Sequence, residues 1–169
     1  MVTLRPYDQS DLETLVRIAN NPNVARYLRE VFPSPYTIAA AQWWIDEGQF
    51  LTSNLSLAIT VENELAGGIG AHFFDNEHRY SAEVGYWLGE SYWGKGIATT
   101  ALQQFTEQLF ARDDINRLFA PVAGDNIGSM RVLEKCGFKR EGIFRQAMYL
   151  RGVTYDEHVF AKLKEMENN

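Results

Sequence analysis

Residues 94 to 99, Gly-Lys-Gly-Ile-Ala-Thr, carry the plainest chemistry in the sequence. They lie within SYWGKGIATTAL, where a run of good helix formers begins just past the second glycine. The first-turn N–H groups of a helix have no partners inside it, and the helix dipole adds partial positive charge there. Gly94 and Gly96 let the main chain adopt conformations closed to other residues and let a ligand approach it closely. The segment therefore suits a phosphate held by backbone, with Lys95 as an added charge. The alternative is a helix start that needs only glycine's flexibility. Two familiar phosphate loops do not match. The Walker spacing and its Gly-Lys-Ser/Thr ending are absent. The dinucleotide fingerprint fails for want of its third glycine, because position 99 is threonine.

Other reactive groups are sparse. Cys136 is the single cysteine, so an intramolecular disulfide or a cysteine-type zinc site is excluded. His72, His78 and His158 lack the i, i+4 spacing of a helical metal site. Metal chemistry is not expected. At 169 residues, 46% hydrophobic and 22% charged, the chain has the composition of one ordinary globular domain, expected to span residues 1–169. A net charge of −6 argues against a nucleic-acid surface. It would suit a cationic substrate, or serve solubility alone. No charged-then-apolar leader and no apolar run near ~18 residues is seen, so no membrane partner and a cytoplasmic location are expected.

The elements that must position the glycine turn can be read by period. VTLRPYD reads as a short strand ended by Pro6. Asp8 caps a helix with Leu12, Leu15, Val16 and Ala19 on one face. Pro22 permits a short helix, and Thr37 caps another that carries Trp43 and Trp44, both read as core. LSLAITV, LAGGIGAHFFD and RYSAEVGYWLG then form an antiparallel meander. Past Gly96 the helical period returns with Ile97, Ala101, Leu102, Phe105 and Leu109 on one stripe. INRLFAPVA is a buried strand, and NIGSMRVLEKC a helix stopped by Gly137. KREGIFRQAMYL and VTYDEHVFAKL complete the chain as strands. The fold class is mixed α+β within the α/β group, a central and mostly antiparallel sheet with helices on both faces. A homodimer is expected from the terminal edge-strand hairpin.

GYWLGESYWGKGIATTAL resembles the acetyl-CoA-binding segment of GNAT superfamily N-acetyltransferases, with Trp93 where Gln or Arg is usual. The YWGKG form resembles the RimJ/RimL-type branch, the ribosomal-protein N-terminal acetyltransferases and their relatives. NIGSMRVLEKCGF resembles that branch's second motif, and the similarity extends over nearly the whole chain. The resemblance implies that the pyrophosphate of acetyl-CoA lies on Trp93, Gly94, Lys95, Gly96, Ile97, Ala98 and Thr99. It further implies that Tyr86, Trp87 and Leu88 lie on a strand splayed from its neighbour along the pantetheine arm. Asn126 would reach the pantetheine side and Arg131 the nucleotide end.

Acetyl transfer to an amine needs a route for the amine proton, a donor for the developing oxyanion, and stabilisation of the thiolate. The resemblance supports Glu83 as proton relay, with a surface carboxylate paired to an arginine as the alternative. The oxyanion donor is expected to be a backbone N–H near Trp87 and Leu88. Many family members carry a leaving-group tyrosine at the position of Leu133, which cannot donate, so Ser129 is the expected substitute, with a packing role as the alternative. The acceptor, a peptide α-amine or a small amine, is expected between the early helices and the late strands, near Glu30, Tyr149, Asp156 and Glu157. The other functional class the motifs allow is a non-catalytic CoA-binding sensor or subunit.

Overall fold

In a computed structural model describing residues 1–51 and 53–165, the period-two segments form one seven-stranded sheet. Its strands are β1 (Val2–Arg5), β2 (Asn54–Val61), β3 (Glu64–Phe73), β4 (Ser81–Leu88), β5 (Arg117–Ala123), β6 (Lys139–Leu150) and β7 (Val153–Leu163). Their spatial order is β1-β2-β3-β4-β5-β7-β6. All neighbours are antiparallel except β4 and β5. The turn between β2 and β3 places Glu62 and Asn63 at φ of 52° and 71°, the left-handed geometry that tightens a two-residue hairpin.

Helices cover both faces. On one lies α4 (Ile97–Phe110), whose Ala101, Leu102, Phe105 and Leu109 are fully excluded from solvent, beside α5 (Ile127–Lys135). Their partners are the sheet residues Ile59, Ala82, Val84 and Leu118. On the other face α1 (Leu12–Ala19) and α3 (Ile38–Asp46) pack Leu15, Ile18, Ala41 and Ile45 against Tyr7, Ala58 and Leu65. A single turn, α2 (Pro22–Ala25), is capped by Asn21. Trp44 packs on this second cluster with its ring edge against Tyr7, while Trp43 is 48% exposed. The expectation that both tryptophans are core therefore fails for Trp43, because adjacent helical residues point about 100° apart.

Asp8 caps the turn leading into α1 by accepting from the Ser10 N–H at 2.8 Å, and Asp11 accepts in return from the Asp8 N–H. Arg5 forks onto the buried Asp11 carboxylate with two bonds of 2.7 Å, which supplies the charge that this burial requires.

β6 is the free edge and is mostly exposed. Its register against β7 shifts twice, between Arg140 and Gly142 and between Phe144 and Met148, the second around Gln146 at φ 52°. At the centre of the sheet β3 passes very close to β4. A Cβ added to Gly67 would lie 2.1 Å from the Trp87 carbonyl oxygen and 2.8 Å from Leu88 Cα, both backbone atoms. Gly67→Ala is accordingly expected to lower unfolding free energy by about 2–3 kcal/mol. Gly142→Ala, where an added Cβ meets nothing within 4 Å, should stay within about 0.5 kcal/mol. Urea midpoints of the two variants test the contrast.

Candidate active site

The parallel pairing of β4 with β5 covers only Ser81–Glu83 against Arg117–Phe119. Beyond Glu83 the two strands separate. The Gly89 N–H bonds the Ala66 carbonyl at 2.9 Å, so by ladder alternation Leu88 and Tyr86 turn their main-chain groups away from β3, into the gap. The Leu88 carbonyl there accepts from the Trp93 indole N–H at 2.8 Å. The departure from the family pattern at Trp93 thus has a structural use: the indole fastens the end of β4 to the turn that precedes α4.

The gap opens into a cleft of about 760 Å³. Tyr86, Trp87, Leu88, Trp93, Gly94, Gly96, Ile97, Ala98, Thr99, Asn126, Ser129 and Arg131 all line it. Lys95 does not; it is exposed beside the cleft. Gly94 and Gly96 have φ of 72° and 77°, which a residue with a Cβ adopts only with strain. Gly96 immediately precedes α4, and no side chain caps that helix. Its first-turn N–H groups remain available at the cleft, which is the arrangement an anion requires.

Across the cleft Asn126 caps α5, its Oδ1 accepting from the Ser129 N–H at 3.3 Å. Its carbonyl group is thereby committed to the helix. Ser129 is half-buried, and its Oγ lies 2.9 Å from the Tyr86 hydroxyl, which also donates toward the Ser129 carbonyl at 3.1 Å. Burial pushes the Tyr86 phenol well above its ordinary range, against a smaller lowering by the Ser129 bond. Reading the sequence assigned Tyr86 a main-chain role only. Its parity with buried Ala82, Val84 and Leu88 places its side chain on the α5 face, but the meeting with Ser129, 43 residues on, is a product of the fold.

Glu83 occupies the opposite face of β4. In register it stands across from His72 on β3 and Phe119 on β5, and its carboxylate accepts from the Arg29 guanidinium. Glu83 is thus paired to an arginine, at the place where β4 and β5 begin to part. Phe119 stacks on Phe74 at 5.8 Å, so the carboxylate borders an aromatic surface.

The acceptor-side residues are sorted by strand parity. Met148 and Leu150 pack with Ala123, Tyr155 and Tyr27, which defines the face beneath residues 26–36. Tyr149, between Met148 and Leu150, therefore points to the other face. Asp156 does likewise, accepting from the Gln146 N–H at 2.9 Å and lining a separate hollow of about 380 Å³ with Gly124 and His158. Glu157, directly across from Ala123, is the hairpin acid on the face below residues 26–36. Glu30 is in that segment but accepts from the Arg151 N–H at 3.0 Å. Arg151 also donates to the carbonyls of Ala25 and Phe32, at 2.9 and 2.8 Å, so it ties the β6–β7 turn to the segment. Among the described residues no group of three His, Cys, Asp or Glu side chains could hold a metal ion, and no helix is long and apolar enough to cross a membrane.

A bare helix N-terminus at the mouth, an unpaired strand edge along the wall, a hydroxyl pair midway and a carboxylate on the far face are what the cleft brings together. Comparison with known proteins identifies the family. Residues 1–139 match the acetyltransferase (GNAT) domain. The N-acetyltransferase p20 of Bacillus licheniformis is 30% identical over 96% of this chain and 93% of its own length. The ribosomal-protein-serine acetyltransferase of Escherichia coli is 32% identical over 62% of this chain and 58% of its own length. The solved structure of the ribosomal α-N-protein acetyltransferase RimL with coenzyme A superposes with a TM-score of 0.80 at 28% identity, covering 96% of this chain and 93% of that one. The chain belongs to the GNAT acetyltransferase family and is an N-acetyltransferase of RimL-like kind.

The cap on α5 generates a test. Asn126→Ala should cost about 1 kcal/mol, lowering the thermal midpoint by roughly 2–4 °C, because the Ser129 N–H loses its partner. Asn126→Asp, which keeps an acceptor there, should retain most of that stability in the same melting experiment.

Proposed function

We propose that this protein moves an acetyl group from acetyl-CoA directly onto a primary amine, a peptide α-amine or a small amine, within one domain over residues 1–169. The observation that carries the reading is the separation of β4 from β5 with the uncapped N-terminus of α4 at its mouth. The N–H groups of Gly94 to Thr99 hold the pyrophosphate, with no metal required, and Arg131 stands at the nucleotide end. The open main-chain edge at Tyr86 and Leu88 runs along the pantetheine amides. These features fit the group chemically: phosphates at a positive helix end, an amide chain on an unpaired strand edge, an apolar passage beyond.

Within that frame each demand of the reaction has a residue. The amine nitrogen bonds to the carbonyl carbon while the C–S bond breaks and its electron pair stays on sulfur. The Leu88 N–H, turned into the gap, donates to the oxygen that gains charge. Glu83 takes the proton that the incoming ammonium must lose before it attacks, directly or through one water, and the second N–H proton leaves to solvent as the amide forms. Ser129 donates to the departing sulfur; a serine hydroxyl is too weak an acid to surrender its proton, so it acts by hydrogen bonding. The acceptor enters beneath residues 26–36, on the face that carries Glu83 and Glu157. An acceptor ammonium must share the Glu83 carboxylate with Arg29.

Calorimetric titration should give micromolar binding of acetyl-CoA, similar binding of free CoA and none of ATP. Gly96→Ala should weaken the CoA interaction at least tenfold, through strain at positive φ and a methyl group where phosphate approaches. Binding that survives Gly96→Ala unchanged would place the nucleotide elsewhere. Glu83→Gln should reduce kcat most at low pH, where amines arrive protonated, and leave acetyl-CoA affinity intact. A kcat equal to wild type across pH would remove Glu83 from the mechanism and leave a base elsewhere.

A further inference from the structure

Ser129 cannot support a departing thiolate unless its hydroxyl proton points into the cleft, and the hydrogen bonds around it decide where that proton points. The Tyr86 oxygen lies 2.9 Å from Ser129 Oγ and 3.1 Å from the Ser129 carbonyl oxygen, and the phenol has one proton to give. Two arrangements are possible. In the first, Tyr86 donates to the carbonyl, Ser129 donates to Tyr86, and the serine proton faces away from the cleft. In the second, Tyr86 donates to Ser129 Oγ and the serine proton is released toward the cleft. The two differ by a rotation of two O–H bonds, with no movement of heavy atoms.

We infer that Tyr86 is a positioning residue for the leaving group: its phenol donates to Ser129 Oγ and commits the serine proton to the sulfur of the thioester. This rests on the acetyl-CoA reading of the cleft given above. Negative charge growing on sulfur attracts the serine proton and draws the pair into the second arrangement. The Tyr86–Ser129 bond then polarises the serine hydroxyl and strengthens its donation. Neither hydroxyl loses its proton. The phenol, buried and held above its ordinary range, remains protonated throughout, as a donor must. The thiolate takes its proton from water after the acetyl group has gone.

The geometry explains an otherwise puzzling substitution. Leu133, at the family's tyrosine position on α5, is wholly buried and has no donor. Here the phenol comes from β4 on the other wall of the cleft, and it reaches the sulfur through Ser129. Tyr86 is well placed for this, because it sits on the part of β4 that has left β5. Its ring packs against the core, which fixes the direction of the hydroxyl.

Coenzyme A itself is the probe, so no acceptor has to be known. The thiol of bound CoA is titrated by its thiolate ultraviolet absorbance, with CoA-free protein as blank. The thiol of free CoA, titrated in the same way without protein, is the reference. Bound to the wild-type protein it is expected to titrate about one unit lower, a tenfold shift in its ionisation constant. Tyr86→Phe keeps the ring and removes the donor; Ser129→Ala removes the relay. Each should return the bound thiol to about its free value, and the double variant should do no more than either alone. Because the Tyr86 hydroxyl also ties β4 to α5, the bound thiol of Tyr86→Phe is titrated with the variant saturated by CoA and below its own melting temperature. With any accepted amine, each single variant and the double variant should lose about tenfold in kcat at unchanged KM for acetyl-CoA.

A wild-type bound thiol titrating at or above its free value would overturn the inference without any variant. So would a Tyr86→Phe protein whose bound thiol matches wild type, or single losses that multiply in the double variant. Failure of the wild-type protein to bind CoA would instead overturn the reading of the cleft, and the role of Tyr86 with it.

Discussion

Everything at this site depends on two strands that stop bonding to each other. A parallel pair inside a sheet normally continues its ladder, since buried main-chain groups left without partners are costly. Here the ladder ends after three residue pairs and the next groups on β4 face a cleft. Three contacts hold this opening in shape. Gly67 lets β3 support β4 at very close range from behind. The Trp93 indole fastens the Leu88 carbonyl, and the Tyr86 hydroxyl ties β4 to α5 across the gap. The strand edge is therefore open and rigid together, as recognition of an extended amide chain requires.

The loop over the Glu83 face of the sheet is held by two arginines. Residues 26–36 have no regular ladder, and they are moored by Arg151 from the β6–β7 turn and by the pair between Arg29 and Glu83. Two of these bonds go to the main-chain carbonyls of Ala25 and Phe32, and the other two depend on the side chains of Glu30 and Arg29.

Local signals in the sequence carried the elements and most of the residues that line the cleft. The positions of β6 and α4, the stop at Gly137 and the glycine turn follow from period, capping and left-handed φ, all of which act within a few residues. Leu133 as a non-donor was equally legible. What was not legible depends on parity or on distance. Asp156 and Glu157 are adjacent acids, and only the packing of Met148 and Leu150 shows which of them faces the loop. Tyr149 was misplaced for the same reason: a register slip in β6 sits just before it, and no composition rule fixes the face beyond a slip. The bond from Tyr86 to Ser129 joins two segments that share no local pattern, so nothing short of the folded chain reveals it.

The slip in β6 has a consequence for how the molecule behaves in company. An outermost strand of twelve residues with exposed Ile143 and Phe144 is a ready template for a strand from another molecule. With Gln146 in the left-handed region midway, the row of free N–H and C=O groups is divided there into two runs, and a second shift between Arg140 and Gly142 shortens the first of them. A visiting strand can pair with one run or the other, and neither alone gives a lasting grip. The kink thus acts as a guard against edge-to-edge aggregation, built into the backbone and added to the exposed charges of Lys139, Arg140, Glu141 and Arg145.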